Sequence, residues 1–171
     1  MKPFQPLIST ALLFTIAFTS CTPAAEKEPN GNTDTTAAFT TKADENKMQQ
    51  LEENKKLVTD FYQAYYGDKD SSAIDKYIAD DIKQHNPLLQ DGKEWFKGAT
   101  RILLTASLEK SKIDIKQVAA DGDLVWLFIR DVAPNKKVFA RVDICRVQNG
   151  KITENWKVAE PVAGDDEKKV F

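Results

Sequence analysis

Histidine is nearly missing from this chain: His85 is the single one among 171 residues. One imidazole cannot build a histidine metal cluster, and no motif brings a serine to it as a hydrolytic triad would need. Cysteine is almost as scarce. Of the two, Cys21 closes the apolar N-terminus and Cys145 sits inside an apolar strand, so no disulfide is expected and Cys145 reads as a small buried hydrophobe. No glycine-rich phosphate loop occurs, and no metal or other cofactor is expected. Basic residues are not in excess (24 against 26 acidic, net charge -2) and are scattered, which excludes the electrostatic footprint of a nucleic-acid binder. Nor is there a long hydrophobic run. Leu7 to Phe18 falls short of the about 20 apolar residues a membrane span requires.

That short run follows a lone Lys2 and ends in small residues, the pattern of an export signal over residues 1–20. Its end, "AFTSC", resembles a bacterial lipobox. The resemblance implies diacylglyceryl attachment at Cys21 and cleavage before it, with outer-membrane sorting in a Gram-negative host because Thr22 follows. The other reading is an ordinary signal peptide cut near "TPAA". Residues 21–46 are rich in Thr, Ala, Asn, Glu and Lys and bury too little to offset the entropy of ordering, so they read as a flexible tether. One domain is expected over 47–163, with a loose polar tail at 164–171.

Within the domain the hydrophobic period changes once. Leu51, Val58, Phe61, Tyr62 and Tyr65 recur at helical spacing up to Gly67, a natural helix stop. Ser72 and Asp75 form a capping-box pattern before Tyr77 and Ile78, predicting a short second helix. After "QHNPLLQDG", the stretch "KEWFKGATRILLTASL" puts Phe96, Ala99, Leu103 and Ala106 on one face of a third helix. From Lys112 the pattern becomes strands: "KIDIKQVAA", "DLVWLFIRDV", "KVFARVDICRV" and "KITENWKVAEPV", separated by Asp121-Gly122, Pro134-Asn135 and Asn149-Gly150 turns. Helices first and a meander after predict an α+β domain, with three N-terminal helices packed on a curved antiparallel sheet.

"QHNPLLQDG" ahead of the third helix, together with "GDLV", "VDICRVQNGKI" and "ENWKVAEPV", resembles the SnoaL-like polyketide-cyclase branch of the NTF2-like superfamily. The resemblance spans roughly residues 48–162. It implies a cone whose bent sheet wraps the helices and leaves a pocket at the wide end, and proton abstraction beside a carbonyl for ring closure or isomerisation. Other members only bind or assemble, so the fold leaves function open. The chain departs from the family where chemistry is expected. Asn155, Trp156 and Lys157 stand where many members carry His-Trp-Asp, and Phe128 where many carry a mid-strand histidine.

What survives is His85 and Asp143, the candidate catalytic pair: Asp143 as base, His85 polarising a substrate oxygen or orienting the carboxylate. Asp143 shares a strand face with Arg141 and Cys145. The alternative is structural, with Asp143 ion-paired to Arg141, Arg130 or Arg146 and His85 bonded to backbone in its loop. Tyr62, Trp126, Phe128 and Trp156 are candidate walls for a small hydrophobic or carbonyl-bearing ligand, although aromatic stripes also serve as core. Three functional classes follow: a membrane-tethered enzyme, a binding module, or a homodimeric assembly protein joined through its sheet face.

Overall fold

The computed structural model describes residues 41–87, 89–98 and 109–171. The export signal, Cys21, most of the tether and the second half of the third predicted helix lie outside these residues. Thr41 opens the body. Its Oγ accepts from the Asp44 amide at 3.2 Å and Asp44 Oδ2 accepts from the Thr41 amide at 3.1 Å. This reciprocal cap starts helix α1 (Lys42–Tyr62) five residues before the expected boundary at 47. The apolar pattern could not show it, because residues 42–50 are all exposed and bury nothing.

The α1 stripe buries Val58, Phe61 and Tyr62. One turn earlier the stripe is occupied by buried Asn54, whose amide donates to the Gly122 carbonyl at 3.2 Å and ties the helix to a hairpin turn. At Tyr62 the helix widens into a π-helical turn, Gln63–Gly67. The wider turn lets the consecutive Tyr65 and Tyr66 both pack against Phe61. Gly67 is needed for space. A Cβ there would lie 2.6 Å from the Ser111 carbonyl oxygen, which donates nothing and cannot move aside as a side chain would.

Helix α2 (Ala73–Tyr77) forms without the expected Ser72–Asp75 box. Ser72 instead donates through its amide and hydroxyl to Asp70, and Asp75 pairs with Lys97 at 2.7 Å on α3 (helical residues 93–98).

The sheet contains β1 (Ile78–Gln84), β2 (Ile115–Asp121), β3 (Leu124–Val132), β4 (Val138–Gln148) and β5 (Lys151–Val162), in the order β1-β5-β4-β3-β2. Strands β2 to β5 form the expected antiparallel meander, and Asn149 and Gly150 adopt positive φ at its last hairpin. β1 is an addition: it joins β5 in parallel. Its sequence hides it, because Asp80-Asp81 and a register shift break the alternation between buried Ile78 and Ile82.

Strand parity sorts the sheet into two faces. Val125, Leu127 and Ile129 face α1 with Arg141, Asp143 and Cys145 paired beside them. Trp126, Phe128 and Arg130 face away, paired with Ile144, Val142 and Ala140. The 164–171 segment is not loose. A 3-10 turn (Gly164–Asp166) and helix α4 (Glu167–Val170) set Glu167 against Arg130 at 2.6 Å and stack Phe171 on Phe128 at 5.6 Å. Phe128 and Arg130, two residues apart on one strand, present an apolar and a charged hold on the same face.

Candidate active site

Between α1 and the inner sheet face, Phe61, Tyr62, Tyr66, Ile78, Ile82, Phe96, Cys145, Ile152 and Asn155 line a pocket. It encloses about 10 Å³, room for about one water, and opens to solvent. The walls are mostly apolar and aromatic with a few polar groups, the usual composition of a small-molecule site.

Behind the Tyr62 wall lies Asp143, which is 2% exposed. The Tyr62 hydroxyl donates to its Oδ2 at 2.6 Å, and Arg141 Nε lies 3.1 Å from the same oxygen. The guanidinium is in ion-pair range there but not aligned for a hydrogen bond, so Nε is unsatisfied. Arg141 reaches outward to Asp131 at 2.7 Å and lies over the Tyr66 ring at 5.3 Å. Asp143 Oδ1 is buried without a hydrogen-bond partner among the described residues. A buried carboxylate that keeps an empty acceptor is unusual and calls for an explanation, because desolvating it costs free energy that a partner would offset.

Burial, then the charge of Asp143, raises the Tyr62 phenol well above its ordinary range. Burial first and Asp143 second push the Cys145 thiol up to about 12. Both groups stay protonated at neutral pH, so Tyr62 acts as a neutral hydroxyl and Cys145 is no nucleophile.

His85 is placed elsewhere. Gln84 pairs with Asn155, on the inner face, so the next residue turns outward. There the His85 ring stacks on Trp156 at 4.1 Å, and its Nε2 lies 2.8 Å from Glu154 Oε2. Glu154 also accepts from Arg146, which is bonded in turn to Asp123. The bond to His85 and then that to Arg146 hold the Glu154 carboxyl below its ordinary range against partial burial. The expected His85–Asp143 partnership is therefore not formed: the sheet lies between them. Trp126, Phe128 and Trp156 are likewise on the outer face and line no part of this pocket. Of the four expected wall residues, Tyr62 lines this pocket. Strand alternation alone leaves the facing of each ring undetermined, and the rings beside the altered family positions face outward.

A model of the SnoaL-like domain matches residues 58–155, more than half of the chain. This chain belongs to the SnoaL-like family. Solved structures agree on the fold. A candidate polyketide cyclase from Bacillus cereus is 21% identical, with TM-score 0.52 over 63% of this chain and 74% of that one. An NTF2-like protein of unknown function from Cytophaga hutchinsonii is 18% identical, with TM-score 0.52 over 63% and 89%. A candidate polyketide cyclase from Acidithiobacillus ferrooxidans gives 18% and TM-score 0.50 over 63% and 88%. At these identities the likeness establishes an NTF2-like fold. No curated protein matches the chain.

Within the SnoaL-like frame, Asn155 and Lys157 face inward as the register partners of Cys145 and Asp143. Asn155 donates to Cys145 Sγ at 3.5 Å and to the Ile144 carbonyl at 3.3 Å. Of the three arginines the residues alone offer as partners of Asp143, the structure selects Arg141; Tyr66 as a wall and the Tyr62–Asp143 bond are not legible in the residues alone. The shared face of Arg141, Asp143 and Cys145 was the available signal. The helix that meets it was not.

Proposed function

We propose that this SnoaL-like domain holds a small hydrophobic, carbonyl-bearing molecule and moves a proton at the carbon beside the carbonyl. Asp143 is the proton acceptor and Tyr62 the relay. The phenol oxygen, at the pocket wall, takes the proton as its own hydrogen passes to Asp143 Oδ2. The observation carrying this reading is the buried carboxylate with one unpartnered oxygen, bonded directly to a pocket-wall hydroxyl. Polyketide-cyclase neighbours are consistent with enolate chemistry of this kind. The chemistry is tested by α-deuterium exchange. The methyl protons of acetone in D2O are expected to be lost faster with the full chain than in buffer, and Asp143→Asn to cut that acceleration by about 10²–10⁴-fold. Binding of the ketone without any acceleration would make the domain a carrier.

The same proposal places the domain on a bacterial membrane, through lipid at Cys21 and the tether that follows. Cys21→Ser is expected to move the protein from the membrane fraction to the soluble fraction. Retention in the membrane would remove the anchor. We infer that the outer sheet face joins two copies. Val142 and Val158, paired on that face, are exposed there, Val158 at 72%, beside Phe128 and Trp156, which Phe171 and His85 stack against.

A further inference from the structure

We propose that Lys157 is a covalent carbonyl-binding site: its amine captures a small aldehyde or ketone as an imine at the open end of the inner sheet face. The site goes beyond the proton-transfer reading, since capture needs neither Tyr62 as relay nor Asp143 as base.

The placement follows from the β4–β5 register. Asn155, Lys157 and Ala159 alternate onto the inner face as the partners of Cys145, Asp143 and Arg141. Lys157 therefore stands directly opposite a buried carboxylate, where a lysine would ordinarily form a cross-strand ion pair. That pair is not formed. Asp143 Oδ2 accepts from Tyr62 and lies 3.1 Å from Arg141 Nε, while Oδ1 has no hydrogen-bond partner among the described residues. Nor does any described carboxylate come within ion-pair range of the Lys157 amine. Other lysines of this fold are used structurally and are satisfied. Lys83 and Lys97 reach Asp91 and Asp75, and Lys151 donates to two backbone carbonyls.

The neighbour that Lys157 does have is a cation. Arg141 lies one diagonal step across the ladder, within reach of a long side chain. Burial, then the Arg141 charge, holds the Lys157 ammonium below its ordinary 10.5, against the opposing pull of Asp143 and Asp131. A lysine desolvated beside another cation gives up its proton more readily, and the free amine is the form that attacks a carbonyl. Access is kept as well. Lys157 and the adjoining Ala159 are both exposed, so solvent reaches the side chain from one end while protein desolvates the rest.

The step balances without any further reactant. The amine nitrogen bonds to the carbonyl carbon, the carbonyl oxygen leaves as water with the two amine hydrogens, and a C=N bond remains. Nothing is oxidised or reduced until a trapping hydride is added.

The test treats the full chain with propanal and sodium cyanoborohydride at pH 7. Hydride goes to the imine carbon and a solvent proton to nitrogen, which fixes the adduct as a secondary amine. Peptide mass spectrometry at limiting labelling compares Lys157 with Lys42 and Lys47, which are exposed on α1. Lys157 is expected to be labelled at least about tenfold faster than either. In guanidinium chloride, with the fold gone, the ratio is expected to fall within about twofold. Lys157→Arg keeps the positive charge and is expected to keep the wild-type Tm while losing the fast first adduct seen by intact mass. Labelling of Lys157 no faster than that of the α1 lysines overturns the site. So does a preference that persists in the unfolded chain, because tertiary placement is then not its cause. A fast first adduct that survives Lys157→Arg belongs to another amine and overturns it too. The Tyr62–Asp143 reading stands or falls separately, on its own exchange assay.

Discussion

Asp143→Ala is expected to lower the free energy of unfolding by about 3–5 kcal/mol. The substitution leaves the Arg141 guanidinium, 5% exposed, without the carboxylate 3.1 Å away, and it strands the Tyr62 hydroxyl. Arg141 keeps Asp131 at 2.7 Å, but that carboxylate is 40% exposed and only part of the lost field. A buried charge stripped of its partner accounts for most of the loss, since the pair itself is worth little over an apolar substitute. The double variant Arg141→Met/Asp143→Leu should accordingly recover most of the stability that Asp143→Ala loses. Urea unfolding followed by tryptophan fluorescence measures all three proteins. If Asp143→Ala stays within about 1 kcal/mol of wild type, the network is not coupled as the distances imply. The double variant also separates stability from chemistry: it should fold and have no exchange activity.

Alkaline pH should destabilise this protein progressively from pH 9.0 upward. The Cys145 thiol is pushed by burial, then by Asp143, from an ordinary 9.0 up to about 12. Tyr62 and Tyr66 are displaced in the same direction, burial being the largest cause for both. Between these limits the unfolded chain has released protons that the native chain still holds. The unfolded state binds fewer, so stability falls as pH rises. The full contribution is present below pH 9.0 and is gone above about 12 for the thiol. At about 1.36 kcal/mol for each pH unit, Cys145 alone removes about 4 kcal/mol across that window. The tyrosines steepen the fall from their ordinary value of 10.0 upward. Urea curves at a series of pH values from 8 to 11 give the slope. Cys145→Ala should start somewhat less stable, from the small cavity it leaves, and then fall less steeply. Parallel slopes for the two proteins would mean that the thiol is not held protonated by the fold.

The two expectations concern one design feature. The inner face of β4 carries Arg141, Asp143 and Cys145 in successive inward positions, where an ordinary strand would place aliphatic side chains. Tyr62 closes over Asp143 from the helix, and the outward partner Asp131 draws the guanidinium toward the rim. Charge is thus concentrated behind the wall of a mostly apolar pocket, where Tyr62 and Cys145 are the members of the group that line it.

The sequence by itself determined the α+β class, the family and most element positions, because those depend on local chemistry. Helical spacing at Val58, Phe61 and Tyr62 made α1, and positive-φ turns at Gly122 and Asn149-Gly150 set the hairpins. Alternation along β4 put Asp143 with Arg141 and Cys145, as the structure has it. Only the tertiary structure decided which face of the sheet is inside. That choice moved Trp126, Phe128 and Trp156 outward, set His85 against Glu154 and Trp156, and left Tyr62 to meet Asp143 from 81 residues away in the chain. It also recruited β1 in parallel and docked the 164–171 segment through Arg130 and Phe128. A period of two tells which residues share a face but not which face a helix will cover. That is settled by packing between distant segments, where burial of the α1 stripe against Val125, Leu127 and Ile129 outweighs the polar groups it encloses.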